Sequence, residues 1–338
     1  MNMSPRWGGV SHHREYGPSP FGTRGFLALK RRFIHKRHRP VPRSETSMFT
    51  ATLLTDPATP ALERATVEAL RNAWGGGDAR WLDPGVAAEF PLDAVPANLW
   101  DVWEGLQALG IDLAVQAAAG RRKRLLLADM DSTMIRQECI DELAAVAGVG
   151  PQVAAITARA MSGELDFEAA LRQRVGLLAG LAETAIAEVL DRRISFMPGG
   201  RTLVATMKAR GGHAVLVSGG FTAFAGPVAA ALGFDENRAN VLHIRDGKLT
   251  GTVADPILGR AAKVQALEEV AARLGIGEDQ VLAVGDGAND LGMLARAGAG
   301  VALHAKPAVA AECALRVNHG DLTALLFLQG YARAEFVE

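Results

Sequence analysis

Cysteine is nearly missing from this chain: Cys139 and Cys313 are the only two among 338 residues. Two cysteines so far apart build no disulfide framework and offer no metal-ligand spacing. A reducing compartment, the cytoplasm, is therefore the default expectation. Long apolar runs are missing too. No stretch approaches the roughly 20 residues that a membrane helix needs, and the N-terminus has no apolar core of a secretory signal, so no membrane partner is expected. Net charge is also close to zero, at −1, but the balance is uneven. Residues 1–47 carry ten Lys/Arg against two Asp/Glu, and everything after them is net −9. An acidic body argues against a nucleic-acid partner. The basic stretch mixes Gly, Pro, Ser, His and Arg without periodicity and reads as a disordered tail. Its Arg-rich, acid-poor composition overlaps with that of a mitochondrial transit peptide; the plainer readings are a tail or an extended start upstream of Met48. The whole chain is 49% hydrophobic, enough for a sizeable core, and its length allows two domains.

What is present is a repeated layout of apolar run followed by polar cluster. Leu125-Leu126-Leu127-Ala128 runs into Asp129-Met130-Asp131-Ser132-Thr133, Ala214–Val217 into Ser218-Gly219-Gly220, and Val281–Val284 into Gly285-Asp286-Gly287-Ala288-Asn289-Asp290. Short apolar runs of this kind predict buried strands, and in open α/β sheets ligands bind at the carboxyl ends of the strands. Residues two apart in an extended chain point to the same side, so Asp129 and Asp131 can converge on one reacting group. If the three strands are parallel, their clusters meet on one rim.

Around this core the chain divides into segments. From Phe49 the pattern predicts a strand at Thr50–Leu54, a helix opened by Pro60 and broken at Gly75-Gly76-Gly77, strands at Ala79–Leu82 and Ala87–Phe90, a helix over Asn98–Leu109 and a strand at Ile111–Val115. That β-α-β-β-α-β order is the ferredoxin-like unit, placed at 48–119. Gly120–Arg124 reads as a solvated basic joint before a larger domain at 120–338. A helical insert is expected from about 137 to 191, with Ile140, Leu143, Ala144 and Ala147 at helical spacing and a further amphipathic helix over Glu164–Leu178. Asp246-Gly247 signals a two-residue hairpin within Asn240–Val253. The fold class that follows is α/β: a doubly wound, mainly parallel sheet with an inserted helical cap, preceded by an α+β ferredoxin-like domain.

The clusters suit phosphoryl chemistry. A carboxylate attacks a phosphoryl group if a cation neutralises the phosphate and the attack is in line, which makes Asp129 the candidate nucleophile. Asp131 is placed to protonate the leaving oxygen and then to activate water. Asp286 adds a third carboxylate, and hard oxygen ligands of this kind suit Mg2+. Ser218 and the amides after it can cradle a phosphate at the start of a helix near Phe221. Taken singly, each of these residues is better explained by a turn or a helix cap, and Lys263, in the helical stretch Arg260–Leu274, by a solvated face.

Asp129-Met-Asp-Ser-Thr, Ser218-Gly-Gly, Lys263 and Gly285-Asp-Gly-Ala-Asn-Asp290 resemble, in order, the four motifs of the haloacid dehalogenase superfamily. The segments Glu138–Glu142, Met161–Phe167, Leu171–Val175 and Val217–Phe221 narrow the resemblance to its phosphoserine phosphatase family, over about Leu125–Ala324. The resemblance implies Mg2+-dependent hydrolysis of O-phospho-L-serine to L-serine and phosphate through an aspartyl-phosphate, the last step of serine biosynthesis. It implies Asp129 as nucleophile and Asp131 as acid/base. Asp129, Asp286 and the main-chain carbonyl of Asp131 are the implied metal ligands, and Ser218, the Gly219 amide and Lys263 the implied phosphate contacts. Glu138 and Arg174 would read the ammonium and carboxylate of the substrate, Asn289 would contact it, and Asp290 would orient the lysine. Without the resemblance, Glu138 and Arg174 read as a surface ion pair. The N-terminal unit resembles an ACT-like domain, but Thr55-Asp56-Pro57-Ala58 lacks the glycine usual in amino-acid-binding versions. That speaks against serine sensing and leaves a scaffold or homodimer role open. A transferase moving the phosphoryl group to another hydroxyl such as homoserine's would use the same residues, and a non-catalytic amino-acid sensor is the alternative outside enzymes. A P-type pump is excluded by Asp131, which stands where those proteins carry threonine.

Overall fold

The computed structural model describes Met48–Glu338 apart from residues 162 and 163, so the expectations for 1–47 lie outside the described residues. The first part runs β1 (Phe49–Leu54), α1 (Arg64–Trp74), β2 (Arg80–Asp83), β3 (Ala87–Leu92), α2 (Leu99–Gln107) and β4 (Asp112–Ala117). Its strands pair antiparallel in the order β2-β3-β1-β4, which is the ferredoxin-like arrangement. Helix α1 begins later than Pro60 because the Leu62 N–H is tied to the Gly85 carbonyl at 2.8 Å and Glu63 is still extended. It ends on Gly75 at φ 67, the left-handed position that favours glycine.

The larger part continues with β5 (Leu125–Ala128), α3 (Cys139–Val146), α4 (Gly150–Met161), α5 (Phe167–Gly176), α6 (Thr184–Arg192), α7 (Gly200–Ala209), β6 (His213–Phe221), α8 (Thr222–Leu232) and β7 (Glu236–Asn240). A hairpin follows, β8 (Leu242–Arg245) and β9 (Lys248–Val253), then α9 (Arg260–Leu274), β10 (Val281–Gly285), α10 (Leu291–Arg296), β11 (Ala299–Leu303), α11 (Pro307–Ala311), β12 (Leu315–Val317) and α12 (Ala324–Leu328). Six of these strands form one parallel sheet, ordered β12-β11-β10-β5-β6-β7. The chain leaves β5 towards β6 on one side and later returns to β10 on the other. That reversal makes the carboxyl ends of β10, β5 and β6 the topological switch point, where open α/β sheets bind ligands.

Alternation along the strands divides the core. Leu125, Leu127, Val215, Val217, Val281 and Ala283 pack against Ala266, Leu267 and Val270 of α9 and Met293 of α10. Leu126, Ala128, Ala214, Leu216, Leu282 and Val284 face the other layer, with Leu203 and Val204 of α7 and Phe224 of α8. This is the period-two pattern of a sheet buried on both faces. Helices α3–α6 form the expected insert between β5 and β6. The hairpin turns on Asp246 and Gly247, at φ 53 and 70, and belongs with that insert: Gly180 and Leu181 exchange backbone hydrogen bonds with Leu249, and Glu183 donates to Gly247.

The basic joint is not the solvated linker its composition suggests. Arg121 pairs with the buried Glu89 at 2.7 Å, Arg122 lies 4.0 Å over the Tyr331 ring, and Lys123 donates to the Asp279 carbonyl at 2.7 Å. The ferredoxin-like unit is also clamped by Asp112, 1% exposed, whose carboxylate accepts N–H groups of Asn318, His319 and Gly320 at 2.9, 3.0 and 2.9 Å. Asp112→Ala strands three donors in the interior, so it is expected to cost about 3 kcal/mol and to lower the melting temperature by several degrees. Asp112→Asn, which keeps an acceptor, should lose less in the same thermal melt.

Candidate active site

Strand β5 ends at Ala128, and the next residue puts its carboxylate on the rim. Asp129 is 5% exposed and its N–H is held by the Val284 carbonyl of β10 at 3.0 Å. Lys263, in the first turns of α9, is fully buried; its Nζ lies 2.6 Å from Asp129 Oδ1 and 2.6 Å from Asp290 Oδ1. Asp290 is fixed on its other side by the Gly287 N–H at 3.0 Å, and a Cβ at Gly285 would meet its Cγ at 2.4 Å. Asp286 accepts from the buried Thr133 hydroxyl at 3.2 Å. Carboxylate oxygens of Asp129, Asp286 and Asp290 lie within 4.8 Å of one another.

Asp131 is turned to a different task. Its Oδ1 accepts the Cys139 N–H at 2.9 Å and its Oδ2 the Ser218 hydroxyl at 3.2 Å. From Asp131 the chain enters a tight turn, with the Met130 carbonyl accepting N–H groups of Met134 and Ile135 at 2.9 and 3.0 Å and Ser132 at φ 56. Ser132 then donates to Glu138 Oε1 at 2.7 Å. The Ser218-Gly219-Gly220 segment departs from the expected turn before a helix: β6 runs on to Phe221 and α8 starts at Thr222. Pairing with β7 is interrupted between Val217 and Phe221, and Ser218 Oγ accepts the Gly220 N–H at 2.8 Å. Gly220 is needed there because a Cβ would come within 2.7 Å of Asp131 Oδ2.

A cavity of about 750 Å³ covers this rim, lined by Asp129, Asp131 and Asp286 below and by Glu138, Asp141 and Arg174 from the cap. Gly219 and Asn289 line it as well. Arg174 is half-buried and makes only a 3.4 Å bond from Nε to the Ala170 carbonyl of its own helix; no carboxylate of the described residues lies within ion-pair distance. The structure therefore gathers Asp129, Asp131, Glu138, Arg174, Gly219, Asp286 and Asn289 around one space, with Ser218, Lys263 and Asp290 directly behind. Sequence reasoning missed two supports. Thr133 stood in the first motif without a role. Asn240, 3% exposed, donates to the Gly219 and Leu258 carbonyls at 2.9 and 3.3 Å and accepts the Leu258 N–H at 2.6 Å; its partners are 18 and 21 residues away in sequence, so no local pattern marks it.

Electrostatically the site is short of positive charge. Burial lifts the Asp129 carboxyl well above the ordinary range, Asp290 adds to the rise and Lys263 opposes it. Burial also raises Asp131, with Glu138 adding to it, and takes Asp286 to about 6, with Asp290 and Glu138 contributing. Burial would lower Lys263, but Asp129 and Asp290 outweigh it and hold the ammonium charged. Arg174 is lowered by burial, and Asp141 and Glu138 act against that. One ammonium among three clustered carboxylates, all hard oxygen donors, is a donor set that fits a hard divalent cation.

The haloacid dehalogenase-like hydrolase family matches residues 126–295. A phosphoserine phosphatase of Streptomyces coelicolor is 46% identical over 230 residues, which are 68% of this chain and 56% of that protein; the chain thus spans little more than half the length of that relative. A solved phospho-aspartyl intermediate analogue of phosphoserine phosphatase is 39% identical with a TM-score of 0.57, covering 61% of this chain and 98% of its own. The unliganded structure of a probable phosphoserine phosphatase from Vibrio cholerae is 33% identical with a TM-score of 0.70, covering 91% of this chain and 94% of its own. The chain belongs to the haloacid dehalogenase-like hydrolases.

The raised Asp286 carboxyl has a measurable consequence in metal-free protein. An unfolded aspartate titrates near 3.9 and the folded one at about 6, so folding favours the neutral form. The stabilisation is full below about pH 4 and is lost as pH rises through about 6; above that the buried charge costs on the order of 2–3 kcal/mol. Asp286→Asn should therefore melt above the wild type near pH 8 in chelator, and the two should converge near pH 4. Adding a divalent ion should stabilise the wild type and leave the variant little changed.

Proposed function

We propose that the chain hydrolyses O-phospho-L-serine to L-serine and phosphate, the last step of serine biosynthesis. The observation that carries the reading is the pairing of two chemistries in one cavity. The sheet rim presents Asp129 and Asp131, and the cap presents Glu138 and Arg174, whose guanidinium has no carboxylate within ion-pair distance among the described residues, to the same space. A guanidinium and a carboxylate suit the two charged ends of an amino acid. The names borne by the relatives support the same substrate.

In this mechanism Ser218, the Gly219 N–H and Lys263 hold the phosphoryl oxygens while Asp129 attacks phosphorus in line, forming an aspartyl-phosphate and releasing the serine oxygen. Asp131 gives that oxygen a proton, which its burial and the neighbouring Glu138 help it to retain. It then takes a proton from the water that attacks the phosphoaspartate. Gly220 leaves room for its carboxylate, and the Ser218 and Cys139 contacts fix its direction. Asp129, Asp286 and the Asp131 carbonyl would hold Mg2+, which would neutralise charge on the phosphate, and Asp290 keeps Lys263 in line. Asn289 contacts the substrate from the rim. Cys139 and Cys313, both free and buried, fit a reducing cytoplasm. We assign no nucleic-acid or membrane partner, and a homodimer through the N-terminal unit accords with its ACT-like topology.

The test is phosphate release from a panel of phosphomonoesters, with and without Mg2+ and with homoserine as a competing acceptor. Phosphoserine should be preferred, and transfer to homoserine in place of release would replace hydrolysis by the transferase reading. Asp129→Asn should abolish turnover in a folded protein, and Asp131→Asn should slow it by roughly 10²–10⁴. Arg174→Ala should cost on the order of 2–5 kcal/mol for phosphoserine but much less for p-nitrophenyl phosphate, with Lys rescuing only in part. Equal losses on both substrates would remove the amino-acid assignment and leave the phosphatase chemistry standing.

A further inference from the structure

Helix α4 brings Thr157 to the wall of the substrate cavity, and its Oγ1 is buried with no hydrogen-bond partner. A helical threonine has an acceptor within reach one turn back, here the Val153 carbonyl, and this hydroxyl does not use it. Leaving a buried hydroxyl unpaired is costly, and native proteins do so rarely. The other unpaired buried polar atoms among the described residues, on Thr52, Trp103, Gln280 and His319, belong to residues that do not line this cavity. The missing partner of Thr157 is therefore to be sought in what the cavity holds.

The cap contributes four polar side chains to that wall: Glu138, Asp141, Arg174 and Thr157. The phosphate side is furnished by the sheet rim, so Thr157 faces the remainder of the substrate. An ammonium group there already has two carboxylates to accept its protons, Glu138 and Asp141. From the cap, a carboxylate has only Arg174 to donate to its several lone pairs, because the cavity's other donors, Arg260, Lys306 and Asn289, line it from the sheet side. We propose that Thr157 is a further specificity-determining residue, its hydroxyl donating a hydrogen bond to the α-carboxylate of the bound amino-acid phosphate beside Arg174. The inference rests on the amino-acid phosphate reading above.

The experiment compares wild type, Thr157→Val, which keeps the shape and removes the hydroxyl, and Thr157→Ser, which keeps the hydroxyl. The substrates are phosphoserine, phosphoethanolamine (ammonium without carboxylate) and p-nitrophenyl phosphate. Thr157→Val should raise KM for phosphoserine on the order of tenfold with kcat nearly unchanged, leave the other two substrates almost unaffected, and be recovered by Thr157→Ser. The melting temperature of the ligand-free Val variant should equal or exceed that of wild type, because an unpaired hydroxyl has been removed. An unchanged KM for phosphoserine, an equal loss on phosphoethanolamine, or a uniform loss with a lower melting temperature would each overturn the proposal. A wild type that fails to prefer phosphoserine to p-nitrophenyl phosphate would instead overturn the substrate reading beneath it.

Discussion

A single buried ammonium organises this molecule. Lys263 Nζ touches Asp129 and Asp290 at 2.6 Å each, and none of the three side chains is more than marginally exposed. Burying ions is expensive, and such a group persists only where its geometry is tightly supported. That support comes from three directions: β5 delivers Asp129, the loop after β10 delivers Asp290, and α9 delivers the lysine across the face packed with Ala266, Leu267 and Val270. The parallel order of the sheet and the alternation of its side chains are thus conditions for the charge cluster, and the cluster is the condition for chemistry on the rim.

Two layers with different physical characters meet over that cluster. The rim is made of the ends of β5, β6 and β10 and of the segments that follow them. The cap is helical, joined to the sheet by the chain on either side of it and stitched to the hairpin β8–β9 through Gly180, Leu181 and Glu183. Phe167 bridges the layers: a Cβ at Gly219 or Gly259 would meet its ring at 3.1 or 3.2 Å. On the reading proposed above, a separation of this kind lets the reaction be set by one layer and the selection of the substrate's other end by the second.

Much of this was legible in the sequence because it depends on short-range pattern. Apolar runs ending in aspartates marked β5 and β10 to within a residue, and the stretch Arg260–Leu274 reads as a helix with the same bounds it has in the structure. What escaped depends on partners distant in sequence. Ser-Gly-Gly reads as a turn until the interruption in β6–β7 pairing and the Ser218–Gly220 bond are seen. The basic joint reads as solvated until Glu89 and Tyr331 arrive from either end of the chain. Pro60 reads as the start of a helix until the Gly85 carbonyl claims Leu62. Arg174 and Glu138 carried no signal of their own; only the motifs around them separated them from an ordinary surface pair.

Asn240 has a consequence for how a ligand is received. Its side-chain amide ties the Gly219 carbonyl of β6 to both backbone groups of Leu258, just ahead of the helix that bears Lys263. The strand that carries Ser218 and the helix that carries Lys263 are thereby joined into one preassembled wall. A ligand meeting that side of the cavity meets a surface whose geometry is already set, so little ordering entropy is spent there.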